Sequence, residues 1–217
     1  MTTKKKILLL AILVFPGLLY FFLELSQANF KKMPHFGPKQ FNSDKKDTAY
    51  YRVETSGLLN SSLNEIKLDT NKYPVFLIAF LDEQLRNKGY KLSSFLDYTQ
   101  HEPDKLNYID IFLVTSFDSL NGFRNIKDEL KIKNKDINEL YCPAEKFNDV
   151  RQKFFTEKPA HVFPYFFVLV DKQRNIRGYY DPSFVSEMKR MIQEFEHLKL
   201  RDEKAKLIQK NTIEKKS

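Results

Sequence analysis

The side chains suited to thiol or metal chemistry are few in this chain. There is one cysteine, Cys142, and one of the four histidines, His161, stands just before a strongly apolar run. A thiolate is a nucleophile and a soft metal ligand, and imidazole is a common metal donor. A single cysteine cannot form an intramolecular disulfide, so Cys142 is a buried apolar side chain, a reactive thiol or half of an intermolecular bridge. The first interpretation is favoured, and Cys142 and His161 are weak candidates for a metal site.

Two adjacent acids, Asp82 and Glu83, follow another apolar run. General acid–base catalysis by a pair of carboxylates requires that their environments differ. Adjacent acids at the start of a helix are explained more simply by the favourable helix dipole. The sequence shows no Ser-His-Asp order, phosphate loop or zinc-ligand spacing above chance. We therefore expect no catalytic residues and no enzyme activity.

The positive charge is concentrated at the two ends of the chain. Of the net charge of +8, residues 4–6 contribute +3, and the seven basic and three acidic residues after Leu198 contribute +4, which leaves +1 for the rest. A nucleic-acid-binding domain carries its basic patch on the folded domain. We therefore expect no nucleic acid as a partner.

An apolar run over residues 7–24, with no charge before Glu24, predicts a membrane segment. It reaches the lower limit of a transmembrane helix and exceeds the apolar core of most signal peptides. The basic tip, residues 1–6, predicts a cytoplasmic N-terminus and an exported remainder. Ser26-Gln27-Ala28 is a small-x-small triplet, so a cleaved signal peptide remains the alternative to a single-pass anchor.

Three apolar runs predict the strands of a covered sheet: Val75–Leu81, Ile109–Val114 and Tyr165–Val170. A turn after the third run leads into an antiparallel partner, Ile176–Tyr180. The helical patterns are at residues 85–100, 123–132 and 145–155, and from Asp181-Pro182 to about Leu200. In the third of them, Phe147, Val150 and Phe154 have the spacing of a buried stripe. This alternation of strands and helices is typical of an α/β protein with a mostly parallel sheet.

The final helix carries an apolar stripe that we expect to pack on the sheet. Its members are Phe184, Met188, Met191, Phe195 and Leu198. In the rest of the exported part, residues 25–49 predict an irregular linker, residues 50–200 one folded domain, and residues 201–217 a basic tail that is frayed or irregular.

Two stretches resemble a known family. Phe166–Asp181 resembles the closing hairpin of Sco/SenC proteins, which are membrane-anchored copper chaperones of cytochrome c oxidase assembly. His35–Lys39 and Asp47–Tyr50 resemble the segment that leads into the domain of bacterial members. The resemblance implies a thioredoxin-like fold, with a central mixed sheet flanked by helices and preceded by one N-terminal transmembrane helix.

The family's copper ligands do not carry over. Sco proteins bind copper through Cys-x-x-x-Cys after the first core strand, and the two positions fall near Glu83 or Gln84 and near Asn87 or Lys88. None of these is a cysteine. Copper(I) prefers soft sulfur ligands, and Cys142 alone cannot rebuild such a site.

The region before the third core strand departs from the family in the same way. The family's histidine ligand falls near Phe163, and His161 is two residues away. Thioredoxin-like proteins hold a cis-proline here, which makes Pro164 the candidate, with an ordinary trans-proline as the equal alternative.

The resemblance and its departures together predict an accessory protein. We expect a single-pass protein of the inner membrane whose domain lies in the periplasm and binds a protein partner in oxidase assembly, with no cofactor. The alternative is a copper-binding or thiol-redox protein that uses Cys142 with His161 or with a partner's cysteine. A peroxidase- or reductase-type enzyme comes third and requires an exposed, acidified Cys142.

Overall fold

The computed structural model describes residues 33–41, 48–66, 75–82, 89–106, 109–118, 125–134 and 136–214, together with Lys5, residues 14–19 and Leu85. Residues 14–19 are helical, and the rest of the predicted anchor lies outside the described residues. Within the described residues, no helix has both the length and the apolar character needed to cross a bilayer. The chain divides into two units, Met1–Met33 and Pro34–Ser217, and the second contains the sheet.

Two sheets form in the second unit. The small one pairs β1 (Gln40–Phe41) with β2 (Thr48–Ala49). The large one contains β3 (Val75–Leu81), β4 (Ile111–Phe117), β5 (Ile137–Pro143), β6 (Phe167–Asp171) and β7 (Ile176–Tyr180). Its spatial order is β5-β4-β3-β6-β7. Strands β3, β4 and β5 are parallel, whereas β6 is antiparallel to β3 and β7 is antiparallel to β6.

Helices cover both faces of the large sheet. They are α1 (Ser93–His101), α2 (Pro103–Leu106), α3 (Ile126–Glu129), α4 (Ala144–Phe154) and α5 (Val185–Glu214), and a 3₁₀ turn, Gly89–Leu92, precedes α1. Helices α1 and α5 contact each other, and α5 contacts β3, β6 and β7, whereas α4 contacts β4 and β5. A parallel β-α-β core closed by an antiparallel hairpin and a C-terminal helix is the thioredoxin-like fold, so the predicted α/β class and thioredoxin-like fold are confirmed. The predicted N-terminal transmembrane helix stays a prediction.

The central strand β3 is buried along its whole length, as its unbroken apolar run predicts. Phe76, Ile78 and Phe80 belong to the core cluster that contains the apolar face of α4. Phe80 meets Phe154 of α4 at a ring-centroid distance of 5.0 Å. On the other face, Phe95 of α1 packs edge-on against Phe167 at 4.8 Å. Because both faces of the sheet are covered, the positions at the end of β3 are held rigidly.

The sheet contains one strand more than the sequence predicts. Strand β5 is fully paired with β4, from Ile111 opposite Ile137 to Phe117 opposite Pro143. Its sequence places two polar residues in succession, the exposed Asn138 and the half-buried Glu139, and therefore lacks a regular strand pattern. Its outer edge is covered by Leu59, which exchanges two backbone hydrogen bonds of 2.8 Å with Tyr141. Tertiary pairing, rather than local preference, thus creates β5.

The bounds of two helices also differ from prediction. Helix α3 is only one turn, and Lys131 just after it has a positive φ of 58°. Helix α5 begins at Val185 rather than at Asp181-Pro182 and continues to Glu214. The Asp181 carboxylate instead accepts a hydrogen bond from the Ser183 backbone N–H at 3.0 Å and forms a local turn.

The apolar stripe predicted for the final helix is buried at four of its five positions, which are Met188, Met191, Phe195 and Leu198. The fifth member, Phe184, lies before the helix and is 58% exposed.

Part of the predicted linker 25–49 is packed against the domain. The backbone N–H of Phe36 donates to the carbonyl of Ile176 at 3.0 Å, and its ring meets the Tyr179 ring edge-on at 5.1 Å. The His35 ring stacks on Tyr50 at 3.9 Å. These contacts cover part of the outer edge of β7, and unpaired strand edges favour such covering segments.

We expect His35 to make the stability of this segment depend on pH. Its Nε2 lies 2.6 Å from Nη1 of Arg177. Burial, and next the Arg177 charge, lower the pKa of His35 below its ordinary value of about 6.5. Arg201 and Lys39 act in the same direction, and Asp171 opposes them. The stabilisation by neutral His35 is therefore complete above about pH 6.5 and is lost as the pH falls through the lowered pKa.

The measurement is the free energy of unfolding of the wild type and of His35→Gln at about pH 7.5 and about pH 5.5. Other titrating groups are common to both proteins, so their effects cancel in the comparison. The wild type should lose more stability on acidification than the variant does. An identical loss in both proteins would show that His35 does not respond to pH.

Candidate functional site

The turn after β3 corresponds to the turn in which Sco/SenC proteins carry their thiols. In this chain it begins with an ion pair. One carboxylate oxygen of Asp82 accepts a hydrogen bond from the backbone N–H of Leu85 at 2.8 Å. The other lies 2.8 Å from Nη1 of Arg151, which projects from α4. The second guanidinium nitrogen of Arg151 donates to the Asn148 side-chain oxygen, also at 2.8 Å. The end of β3 is thereby fastened to α4.

This arrangement differs chemically from a redox or copper site. The guanidinium of Arg151 is a hydrogen-bond donor without an acceptor site, so it serves neither as a base nor as a metal ligand. Both oxygens of Asp82 are engaged in hydrogen bonds, and a carboxylate is a hard ligand that suits copper(I) poorly. The family-aligned positions Glu83, Gln84, Asn87 and Lys88 lie outside the described residues.

Sequence reasoning assigned Asp82 to the helix dipole and did not identify its partner. Arg151 is 69 positions away and sits among other charged residues of α4. No local pattern distinguishes it from an ordinary exposed arginine, although its side chain is only 20% exposed. The partial burial of Arg151 could have been predicted from its position next to Val150, which belongs to the predicted buried stripe of the helix.

The structure places Cys142 and His161 in different environments. Cys142 faces the core from β5 and is 0% exposed, opposite Ser116 of β4. Strand β4 separates β5 from β3, so the backbone of β5 lies about 10 Å from that of β3. His161 is exposed in the loop after α4. Within the described ranges, no cluster of three or more His, Cys, Asp or Glu side chains has a metal-binding arrangement.

The Cys142 thiol should be unreactive in the folded protein. Burial raises its pKa from 9.0 to about 11, which lowers the thiolate fraction about a hundredfold before access is considered. We expect N-ethylmaleimide to add to the native protein far more slowly than to the protein in urea, as followed by intact mass spectrometry. Equally fast modification in both states would instead indicate an accessible, activated thiol.

Of the two alternatives for Pro164, the structure shows the trans-proline. The described residues contain no cis peptide bond. The backbone N–H of Phe166 donates to the carbonyl of Phe163 at 3.0 Å, which closes a four-residue turn. Pro164 is the second residue of this turn, a position that trans-proline favours because its φ is fixed, whereas a cis-proline occupies the third position.

The same turn displays aromatic side chains beside the end of β3. Phe163, which falls near the family's histidine position, is 52% exposed and stacks on Tyr165 at 5.7 Å with an interplanar angle of 10°. The Lys91 ammonium lies 4.0 Å from the centre of the Tyr165 ring. The Tyr165 hydroxyl donates to a carboxylate oxygen of Asp181 at 3.4 Å. Burial, and then the Asp181 charge, raise the pKa of Tyr165, so its hydroxyl stays protonated.

No protein-family model and no curated protein matches the chain. Several solved structures are similar to it. The chain is similar to a SCO1/SenC family lipoprotein from Bacillus anthracis, at 14% identity over 68% of this chain and 95% of that chain, with a TM-score of 0.47. It is similar to Bradyrhizobium japonicum ScoI with copper bound, at 11% identity over 64% and 95%, with a TM-score of 0.40. It is similar to a thiol:disulfide interchange protein from Bacteroides sp., at 15% identity over 66% and 91%, with a TM-score of 0.40. The structures similar to this chain thus include members of the Sco/SenC family, which its closing hairpin resembles in sequence.

Proposed function

We propose that this chain is a Sco-like protein of thioredoxin-like fold that works by protein contact, without thiol or copper chemistry, in the assembly of cytochrome c oxidase. The observation that carries the proposal is the Asp82–Arg151 ion pair at 2.8 Å. It begins the turn in which a chemically active member would present its thiols. The single cysteine of the chain is buried elsewhere in the sheet.

The proposed location is the inner membrane, with the domain on the exported side. The support is the apolar run of residues 7–24 behind the basic tip. The involvement in oxidase assembly rests on the sequence resemblance of the closing hairpin and of the segment that leads into the domain. We propose that the protein has no enzyme activity and holds its partner through its surface.

A copper titration separates this proposal from a copper-carrier role. The full chain in detergent micelles competes with a chromophoric chelator for copper(I), beside the variant Cys142→Ser. We expect neither protein to bind copper(I) tightly, because neither offers two thiolates. Tight one-to-one binding that disappears in Cys142→Ser would overturn the proposal and support the copper-binding alternative.

A gain-of-function variant gives the positive control for this titration. Gln84→Cys, Lys88→Cys and Phe163→His together place the family's three ligand types at the positions that the sequence assigns to them. If the scaffold keeps the family's geometry, this triple variant should bind one copper(I) per chain. Binding by this variant would show that the assay detects a site of this kind in this protein.

The role in assembly is tested in cells that lack the gene. We expect membranes of the deletion strain to contain less assembled cytochrome c oxidase, as measured by haem spectra and by oxygen consumption. The wild-type chain and its Cys142→Ser variant should restore the enzyme equally, because the proposed role does not use the thiol. Normal oxidase levels in the deletion strain would refute a role in assembly.

A further inference from the structure

Large aromatic side chains are exposed at one place where three loops meet. We define the aromatic patch as Tyr90, Phe163, Tyr165 and Phe184. Tyr90 is 68% exposed, Phe163 52% and Phe184 58%, whereas Tyr165 is half-buried and stacks on Phe163. Clusters of exposed aromatic side chains on a protein surface mark interaction sites more often than single exposed residues do.

Hydrogen bonds between the three loops keep the members of the patch together. The Ser94 hydroxyl donates to the carbonyl of Ser183 at 2.9 Å, and the backbone N–H of Phe95 donates to the carbonyl of Pro182 at 3.0 Å. These bonds hold the loop that carries Phe184 against the start of α1, next to the 3₁₀ turn that carries Tyr90. The Asp181 carboxylate then ties this loop to Tyr165.

Two rings of the patch, those of Phe163 and Tyr165, are held in place by contacts within the chain. Tyr165 is held by its hydroxyl and by the stack with Phe163, and Pro164 restricts the backbone between them. A preorganised aromatic surface loses little conformational entropy on binding. Tyrosine is also among the residues that dominate the binding energy of protein interfaces.

The charge of the patch indicates what the partner carries. The Lys91 ammonium lies over the Tyr165 ring, and among the described residues it has no carboxylate partner. Among the described residues, the acid that contacts the patch is Asp181, which is 7% exposed and whose oxygens accept from the Ser183 backbone, the Ser183 hydroxyl and Tyr165. Asp181 is thus already satisfied, and the described residues of the patch present aromatic rings beside the positive charge of Lys91.

We propose that the aromatic patch docks a segment of a protein partner in which an aromatic or leucine side chain stands next to a carboxylate. The apolar side chain packs on Phe163 and Tyr165, and the carboxylate pairs with Lys91. This inference rests on the proposed role as a protein-binding module and names the chemistry of the partner. A lipid surface fits less well, because a single lysine attracts anionic lipid weakly.

The test uses a labelled peptide and the full chain in detergent micelles. The probe is a fluorescein-labelled peptide of the pattern Gly-Ser-Glu-Phe-Glu-Ser-Gly, and its binding is followed by fluorescence anisotropy. Its controls replace both glutamates by glutamine, or the phenylalanine by serine. We expect saturable binding of the probe and binding at least about tenfold weaker for each control peptide.

Variants of the chain locate the binding surface. Lys91→Ala and Phe163→Ala should each weaken binding of the probe at least about tenfold. Lys133→Ala and Leu200→Ala are the matched controls, since both side chains are exposed outside the patch, and they should leave binding unchanged. Far-ultraviolet circular dichroism and thermal unfolding verify that all four variants remain folded.

Three results would overturn the inference: absence of probe binding, binding insensitive to Lys91→Ala and Phe163→Ala, or displacement of the probe by phosphatidylserine vesicles but not by phosphatidylcholine vesicles. The last result would identify a lipid as the occupant.

Different results would refute the docking inference and the proposed role in oxidase assembly. Absent peptide binding with a defect in oxidase assembly refutes the docking inference alone, whereas peptide binding with normal oxidase levels refutes the assembly role alone.

Discussion

Replacing Asp171 by asparagine should lower the free energy of unfolding by about 3–5 kcal/mol. Asp171 and Arg177 are paired in the β6–β7 hairpin, with Nη1 3.2 Å from a carboxylate oxygen and both side chains only 3% exposed. Asparagine keeps an oxygen for the backbone N–H groups of Gln173 and Asn175 that Asp171 binds. It removes the negative charge that faces the buried guanidinium, and removing one partner of a buried pair is strongly destabilising.

Urea unfolding of the single and double variants checks this expectation. Adding Arg177→Met to Asp171→Asn removes the buried positive charge as well, so the double variant should be more stable than the sum of the two single losses implies. Glu54→Gln is the matched control, because Glu54 pairs with Lys153 at 2.9 Å on the surface, and it should have no measurable effect. A loss for Asp171→Asn as small as that for Glu54→Gln would contradict the prediction.

Replacing Phe80 by alanine should lower the free energy of unfolding by about 3–5 kcal/mol. Phe80 lies near the end of β3, is 1% exposed and packs against Phe147, Phe154 and Phe155. The truncation removes buried apolar surface and leaves a cavity, because the paired strand and helix α4 cannot collapse around it.

Phe163→Ala is the matched control, since it makes the same truncation at an exposed position of the same region. We expect it to change the free energy of unfolding by no more than about 0.5 kcal/mol. Chemical denaturation of the two variants measures the difference directly. Similar losses would mean that Phe163 is structural, and this would also weaken the assignment of the aromatic patch to binding.

Sequence patterns were sufficient for those parts of the fold that rest on local hydrophobicity. The run Val75–Leu81 predicted a strand covered on both faces, and the spacing of Phe147, Val150 and Phe154 predicted the buried stripe of α4. The hairpin of β6 and β7 followed from its apolar run and turn. These features are predictable because burial of one face requires apolar residues at the period of the element.

Elements that depend on distant partners were not predictable in the same way. Strand β5 has a mixed sequence and exists because β4 and Leu59 pair with its two edges. The segment around Phe36 was predicted as part of a linker, and it packs because the edge of β7 offers it a backbone carbonyl. Every residue type except proline carries the same backbone donor and acceptor. The sequence therefore gives little information about which backbone segments pair.

For the candidate site, the composition alone excludes a thiol pair within the chain, because there is one cysteine. The Asp82–Arg151 pair and the aromatic patch from three loops become visible only in the folded protein. The chemical identity of a side chain is written in the sequence. Its partner is set by the register of the sheet and the placement of helices, which bring together residues tens of positions apart.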